Sequence, residues 1–210
     1  MTTTAFFVKF FSSLEVWMKV YKGTTRIVIA FPSLGIAVKI ARIQFVEAVK
    51  RAITRLRMKT RDPKLKKRFV KQYFSWRINI PMDPSFWHLL LSGVVSNLSE
   101  WKYTIQNGLA FIAPTYVSFG LFSIIQYAEP LPKKFNGTAF GLKTLKAMMT
   151  VMPEQDLVVD AHHWAPGRNF GFVNGKVVIC DYGSPKTQAI LRTYAKQLDA
   201  LDLAHVLRSE

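Results

Sequence analysis

Acidic residues, cysteine and uninterrupted apolar runs are scarce in this 210-residue chain, and each scarcity excludes something. With a single cysteine, Cys180, no internal disulfide can form, and nothing asks for an oxidising compartment; a cytoplasmic location is expected. The opening Met1-Thr2-Thr3-Thr4-Ala5-Phe6-Phe7 has no basic stretch, no long apolar core and no small-residue cleavage site, so no signal peptide is expected. Only one uncharged stretch, 108–128, has the length to cross a bilayer. Pro114 and the polar Thr115, Ser118, Ser123 and Gln126 interrupt it. Ser118-Phe119-Gly120 also divides it into two β-rich pieces, Leu109–Val117 and Leu121–Tyr127. These breakers predict a buried hairpin and no transmembrane span. Internal repeats and low-complexity tracts are absent too, and the length suits one domain over 1–210.

What the chain does have is positive charge and apolar bulk. Half of the residues are hydrophobic and 13% are aromatic, enough for a real core and against global disorder. Lys and Arg number 29 against 13 Asp and Glu, for a net charge of +16. Thirteen of those cations lie between Arg42 and Arg77 against only Glu47 and Asp62, so this segment alone carries +11. Such a block marks either a solvated face or a surface for an anionic partner: phosphate, nucleic acid, lipid headgroups.

Patterning places the elements. Residues 5–18 read as a short amphipathic helix or lead-in. Three strand-like runs follow, Glu15–Tyr21, Arg26–Phe31 and Ile36–Ile40, separated by turn compositions at 22–25 and 32–35. Phe45, Val46, Val49, Ile53 and Leu56 recur at helical spacing, and a second basic helix is expected from Pro63 to Trp76. A third helix is predicted over 85–106, capped by Ser85 and weakened at Gly93. Beyond the hairpin, Glu129-Pro130-Leu131-Pro132 reads as a rigid connector and Thr138–Met152 as a helix. Leu157-Val158-Val159 reads as a short buried strand. Phe170–Val173 and Val177–Cys180 pair across Asn174-Gly175, and a closing helix starts at Pro185. The order is that of an α+β protein.

Several small motifs fall into line along this order. Lys22-Gly23-Thr24-Thr25 lies between the first two strands, and Ala37-Val38-Lys39 puts a lysine into an apolar strand. Glu100 sits on the helix before the hairpin, and Gln126-Tyr127-Ala128 follows it. Val159-Asp160, Asn169 and Cys180-Asp181-Tyr182-Gly183 come later. This succession resembles the protein-kinase-like superfamily over about residues 15–185, in a small, reduced form of bacteriophage type.

The resemblance implies a two-lobed fold. Its small antiparallel-sheet upper lobe would span 15–127 with a basic helical insertion at 42–84, and its much reduced helical lower lobe would span 128–210. It further implies an ATP- and Mg²⁺-dependent phosphotransferase acting on a protein hydroxyl. Lys39 would hold the α- and β-phosphates, Glu100 would pair with it, and Gly23 and Thr24 would cover the phosphates. Gln126 and Tyr127 would form the connector beside the nucleotide. Asp160 would be the catalytic aspartate, with Asn169 and Asp181 as metal ligands. The chemistry suits these types: lysine is a point charge for phosphate, and Mg²⁺ takes oxygen ligands. Asp160 could orient or deprotonate an attacking hydroxyl.

The chain also departs from the family's pattern. Gly23 stands alone where kinases commonly carry a glycine-rich loop. Glu47 is a rival to Glu100 as the partner of Lys39, and eight residues separate Asp160 from Asn169. Only 29 residues follow Asp181, without an Ala-Pro-Glu motif.

Other readings stand beside this one. A pseudokinase would keep the fold and work by association. A non-enzymatic basic module would use residues 42–77 to grip nucleic acid, an acidic partner or a membrane surface. A lipopolysaccharide or small-molecule kinase would fit both the basic block and the short lower lobe. His162 and His163 with Cys180 fit no common zinc spacing.

Overall fold

The computed structural model describes residues 18–58, 64, 67, 71, 73–74, 85–131, 138–159, 161–164, 169–201 and 203–208. Three strands open it: β1 (Lys19–Lys22), β2 (Arg26–Phe31) and β3 (Ile36–Ala41). A single 3-10 turn, Pro32–Leu34, joins the last two, and Gly35 closes it at φ 65°, in the left-handed region that glycine enters without strain. This tight turn sets the register: Ala30 faces Ala37, Val28 faces Lys39, and Arg26 faces Ala41. Directly opposed residues share a face of the sheet, so Arg26, Val28, Ala30, Ala37 and Lys39 all project to one side.

The hairpin expected from the uncharged stretch is present, as β4 (Thr115–Ser118) and β5 (Phe122–Gln126). Its strands are shorter than the β-rich pieces. Phe111–Ala113 are used elsewhere, as described below, and leave only Thr115–Ser118 for the pairing. β5 runs beside β3, with Ser123 opposite Lys39 and Ile125 opposite Ala37, giving an antiparallel five-stranded sheet in the order β1-β2-β3-β5-β4.

Helix α1 (Phe45–Met58) leaves the end of β3, as its helical spacing predicts. Its predicted successor, 63–76, lies largely outside the described residues. The helix expected over 85–106 is split into α2 (Phe86–Leu90) and α3 (Ser92–Asn107). Ser85 caps α2 as expected, its side chain accepting from the His88 amide at 3.2 Å. The break falls at Leu91 (φ −108°, ψ 17°) and not at Gly93. Gly93 serves close approach instead: a Cβ there would clash with the Thr25 carbonyl and stand 3.1 Å from the Ala41 Cα. Glycine thus lets α3 settle directly on the charged end of the sheet.

A second, three-stranded sheet forms from β6 (Glu129–Pro130), β7 (Phe170–Val173) and β8 (Lys176–Ile179), in that order. Residues 129–130, expected as a mere connector, pair with Phe172 and Gly171. Asn174 and Gly175 both take positive φ, 51° and 79°, the geometry of the tight two-residue turn that Asn-Gly favours. Helices α4 (Thr138–Met148), α7 (Pro185–Ala200) and α8 (Leu203–Arg208) surround this hairpin. The main core lies here, with Met148, Trp164, Ile179, Leu191 and Leu198 fully or almost fully buried.

Phe111–Ala113 tie the two sheets together. The Ala113 amide donates to the Ile179 carbonyl at 2.9 Å, and the Ile179 amide donates to the Phe111 carbonyl at 3.0 Å.

Leu157-Val158-Val159 is a correction. It belongs to α5 (Glu154–Val159), followed by α6 (Ala161–Trp164), and is no strand. Three apolar residues cannot by themselves distinguish strand from helix. Here Pro153 and the acidic Glu154 and Asp156 supply a helix start, since anionic side chains are favoured in the first turn. The lead-in 5–18 and the strand start at 15–17 lie outside the described residues apart from Met18. No helix among the described residues is long and apolar enough to cross a membrane.

Candidate functional site

The register described above puts two cations, Arg26 and Lys39, on the sheet face toward α3. α3 answers with Glu100, which has no exposed surface. Lys39 Nζ lies 2.6 Å from Glu100 Oε2, and Arg26 Nη1 lies 2.7 Å from Oε1, so each carboxylate oxygen takes one cation. Arg26 reaches further: its Nη2 lies 2.5 Å from Asp181 Oδ1. Lys39 also donates to the Cys180 carbonyl at 2.6 Å. Two cations and two carboxylates therefore form one compensated network spanning β2, β3, α3 and the segment after β8. Compensation is what makes it tolerable, because a lone charge at such depth would cost several kcal/mol.

The electrostatics follow from this pairing. Burial by itself pushes the Asp181 carboxyl upward, but Arg26, Lys39 and His163 together hold it well below the usual carboxylate range. Burial also opposes the charge on Arg26, yet Glu100 and Asp181 more than restore it. Cys180, half-buried beside them, is pushed up to about 12 by desolvation and stays a neutral thiol. Asp181 is the exposed corner of the network, with 38% of its side-chain surface accessible. A ligand can reach the cluster through that carboxylate and not through Glu100.

Tyr182 and Gly183 fix this corner against α3. The Tyr182 ring is fully buried, packs edge-on against Tyr103 and lies 5.9 Å beneath the Lys39 ammonium. Its hydroxyl donates to the Ala113 carbonyl at 3.0 Å and lies within hydrogen-bonding distance of Thr104 and Thr115. At Gly183 a Cβ would stand 2.8 Å from Ser96 Cβ and 3.0 Å from Ser96 Cα, so only glycine lets the chain pass the helix there.

The remaining candidates divide by location. Asn169 is brought beside Asp181: its carbonyl accepts from the Cys180 amide at 2.7 Å, and its side-chain amide donates to the His163 carbonyl at 3.0 Å. Asp160 lies outside the described residues. Gly23 and Thr24 form the exposed β1–β2 turn at the Arg26 end of the sheet. Arg42 donates to the Gly23 carbonyl at 2.9 Å, and Gln44 donates to the Thr24 carbonyl at 2.5 Å. Gln126 and Tyr127 lie at the opposite end of β3, where the Tyr127 amide donates to the Gly35 carbonyl at 2.9 Å. Tyr127 packs against a small apolar patch of Ala30, Ala37 and Ile125. Burial and the neighbouring Tyr21 push its phenol up to about 12. From Ile36 to Lys39 the strand advances about 10 Å. The apolar patch and the cations are thus set apart along one strand. Glu47, the rival partner for Lys39, pairs instead with Arg51 on α1 at 3.0 Å.

Arg26 is the residue that motif reading missed. It opens an apolar strand, where a cation is easily taken for an edge residue. The hairpin register was the available signal, since it sets Arg26 two positions from the partner of Lys39 on the same face.

Among the described residues no three carboxylate, imidazole or thiol groups converge to hold a metal ion. Asp181 and the amide-bearing Asn169 nonetheless offer the oxygen chemistry Mg²⁺ prefers, and that ion commonly takes one or two protein carboxylates with phosphate and water. Comparison of the chain with protein-family models, with curated proteins and with solved structures finds no match.

Proposed function

We propose that the chain is a protein-kinase-like phosphotransferase. In this reading 15–127 form an upper lobe, with the basic insertion at 42–84, and 128–210 form a reduced lower lobe. It uses ATP and Mg²⁺ to phosphorylate a hydroxyl, most simply that of a protein, in the cytoplasm. The observation that carries the proposal is the buried Lys39–Glu100 pair joining β3 to α3, with Asp181 two bonds away through Arg26. A strand lysine held by a helical glutamate beside a partly exposed aspartate is the arrangement phosphoryl transfer needs, since that chemistry depends on positioning and charge neutralisation.

Glu100 holds the Lys39 ammonium against the α- and β-phosphates. Gln126 and Tyr127 form the connector beside the nucleotide at the other end of β3, and the Gly23-Thr24 turn covers the phosphates. Asp181 and Asn169 would hold Mg²⁺, which when bound neutralises phosphate charge. Asp160 orients the attacking hydroxyl. The hydroxyl oxygen forms the new bond to the γ-phosphorus, the bond to the β–γ bridging oxygen breaks, and the hydroxyl proton passes to the Asp160 carboxylate.

The test is transfer of labelled γ-phosphate from ATP by wild type and Asp160→Asn. Transfer by the wild type alone, with nucleotide binding kept in both, supports the reading; equal transfer by both removes Asp160 from it.

A second reading, a pseudokinase, is favoured by one observation: the Arg26 guanidinium already occupies Asp181 Oδ1 and supplies the positive charge a metal would bring. On that reading Mg²⁺-dependent nucleotide stabilisation emerges only in Arg26→Gln, and no phosphate is transferred. Beside either reading, residues 42–77 are proposed to contact an anionic partner.

A further inference from the structure

We infer that α1 is a membrane-surface element that lays an apolar strip, bordered by cations, onto an anionic lipid bilayer. This rests on the reading of residues 42–77 as a contact surface for an anionic partner, and it names that partner.

Helix α1 buries one side and, among the described residues, leaves the other exposed. Ala48 and Ala52 face inward with almost no exposed surface, and Tyr73 packs there, its hydroxyl 3.3 Å from the Ala48 carbonyl. About 3.6 residues make a turn, so Val46, Val49 and Ile53 share a strip turned away from the two alanines, and Phe45 lies between that strip and Ala52. That strip is open: Val46 is 65% exposed and Ile53 45%, and Phe45 beside them is 60% exposed. Exposed apolar residues scattered singly need no explanation, but Val46 and Ile53 stacked two turns apart, with Phe45 on the same helix, do. Ile43, just before the helix, is 50% exposed as well.

Charge borders the strip on one side. Lys50 and Arg57 are exposed at the same rotation as the edge of the apolar residues. The acid in the helix, Glu47, lies beyond these cations, farther from the strip, and is engaged by Arg51 at 3.0 Å. Lys67 and Lys71 are exposed further along the segment. Cations edging an apolar strip, with the acid turned away, suit a surface that is anionic on top and apolar just beneath. A bilayer with anionic headgroups is such a surface. A nucleic acid would match the cations, but it offers nothing apolar to Val46 and Ile53. A folded acidic protein would call for a shaped pocket or ridge, whereas this strip is a plain convex helix face.

The test is co-sedimentation of the full chain with vesicles of phosphatidylcholine alone and of phosphatidylcholine with a quarter phosphatidylglycerol. Wild type should partition onto the anionic vesicles and stay in solution with the neutral ones. Lys50→Gln with Arg57→Gln should lower that partition about 30-fold. Val46→Ser with Ile53→Ser should lower it about tenfold while leaving the circular dichroism spectrum and melting temperature in place. Because all four side chains are exposed, the charge variant gives a reading even if the apolar variant misfolds. Equal partition onto both vesicle types, or unchanged partition of both variants, overturns the inference. A DNA duplex that binds more tightly than the vesicles, indifferent to the serine substitutions, overturns it while leaving an anionic partner in place. An acidic protein that binds while the vesicles do not has the same meaning. Binding to none of these overturns both the inference and the anionic-partner reading.

Discussion

The charge cluster beneath the sheet and the basic face of α1 use the same kinds of side chain under opposite conditions. Arg26 and Lys39 are buried, and each is met by a carboxylate within 2.7 Å. Lys50 and Arg57 are exposed and border apolar residues. In the first region charge is neutralised within the molecule, and its geometry is fixed by four segments of chain. In the second it is left for something outside. A buried compensated network fails badly when one member is removed, whereas an exposed cation can be lost with little effect on the fold. The first region therefore carries the architecture of the site, and the second is the one proposed to carry association.

The largest effect that would break this contrast is at Glu100. Glu100→Gln leaves Arg26 and Lys39 sharing one neutral amide in a buried position, and it should destabilise the fold by about 3–5 kcal/mol. The corresponding fall in melting temperature is roughly 10 °C for a chain of this size, readable by calorimetry. A loss no larger than that of an exposed variant would show that the cluster is hydrated and not load-sharing.

Gly183→Ala comes next. The added methyl meets Ser96 on α3, so it should cost about 1–3 kcal/mol and loosen the packing that seats Asp181. Urea titration checks the first effect.

The acid limb of the stability curve sharpens the contrast further. Asp181 is held below its unfolded value near 3.9, so its contribution is whole above about pH 4 and is lost as the pH falls through the folded value. Melting temperatures between pH 5 and pH 2 should fall more steeply in wild type than in Asp181→Asn. Parallel curves would mean that Asp181 is not paired in solution.

The smallest effect belongs to α1. Lys50→Gln with Arg57→Gln should change stability by no more than about 0.5 kcal/mol, because neither side chain is buried. A larger loss would place these cations in the architecture after all.

Particular residues show how far the sequence could be read. Lys39 and Glu100 were legible because strand and helix periodicity put each on a definite element, and their pairing is as the motif order implies. The β4–β5 and β7–β8 hairpins were legible from Pro114, the Ser118–Gly120 turn and Asn174-Gly175. Arg26 was legible only through the β2–β3 register, which the 3-10 turn at 32–34 sets, and not from the order of motifs. Leu157–Val159 was misread because helix and strand share so short an apolar run, and the acids that start α5 outweigh it. The early end of the hairpin's first strand was invisible for a different reason: Phe111–Ala113 bond to β8, a partner more than sixty residues away.

Lys39, Glu100 and Asp181 are proposed to form a nucleotide site. The melting temperature of wild type and Asp181→Asn with ATP, first without and then with Mg²⁺, tests this. A ligand at 100 times its dissociation constant stabilises by about 2.7 kcal/mol, a shift of several degrees. ATP with Mg²⁺ should raise the wild-type melting temperature by that much, and Asp181→Asn should lose the Mg²⁺-dependent part. No shift in wild type, in Asp181→Asn or in the Arg26→Gln variant, with or without Mg²⁺, would contradict it.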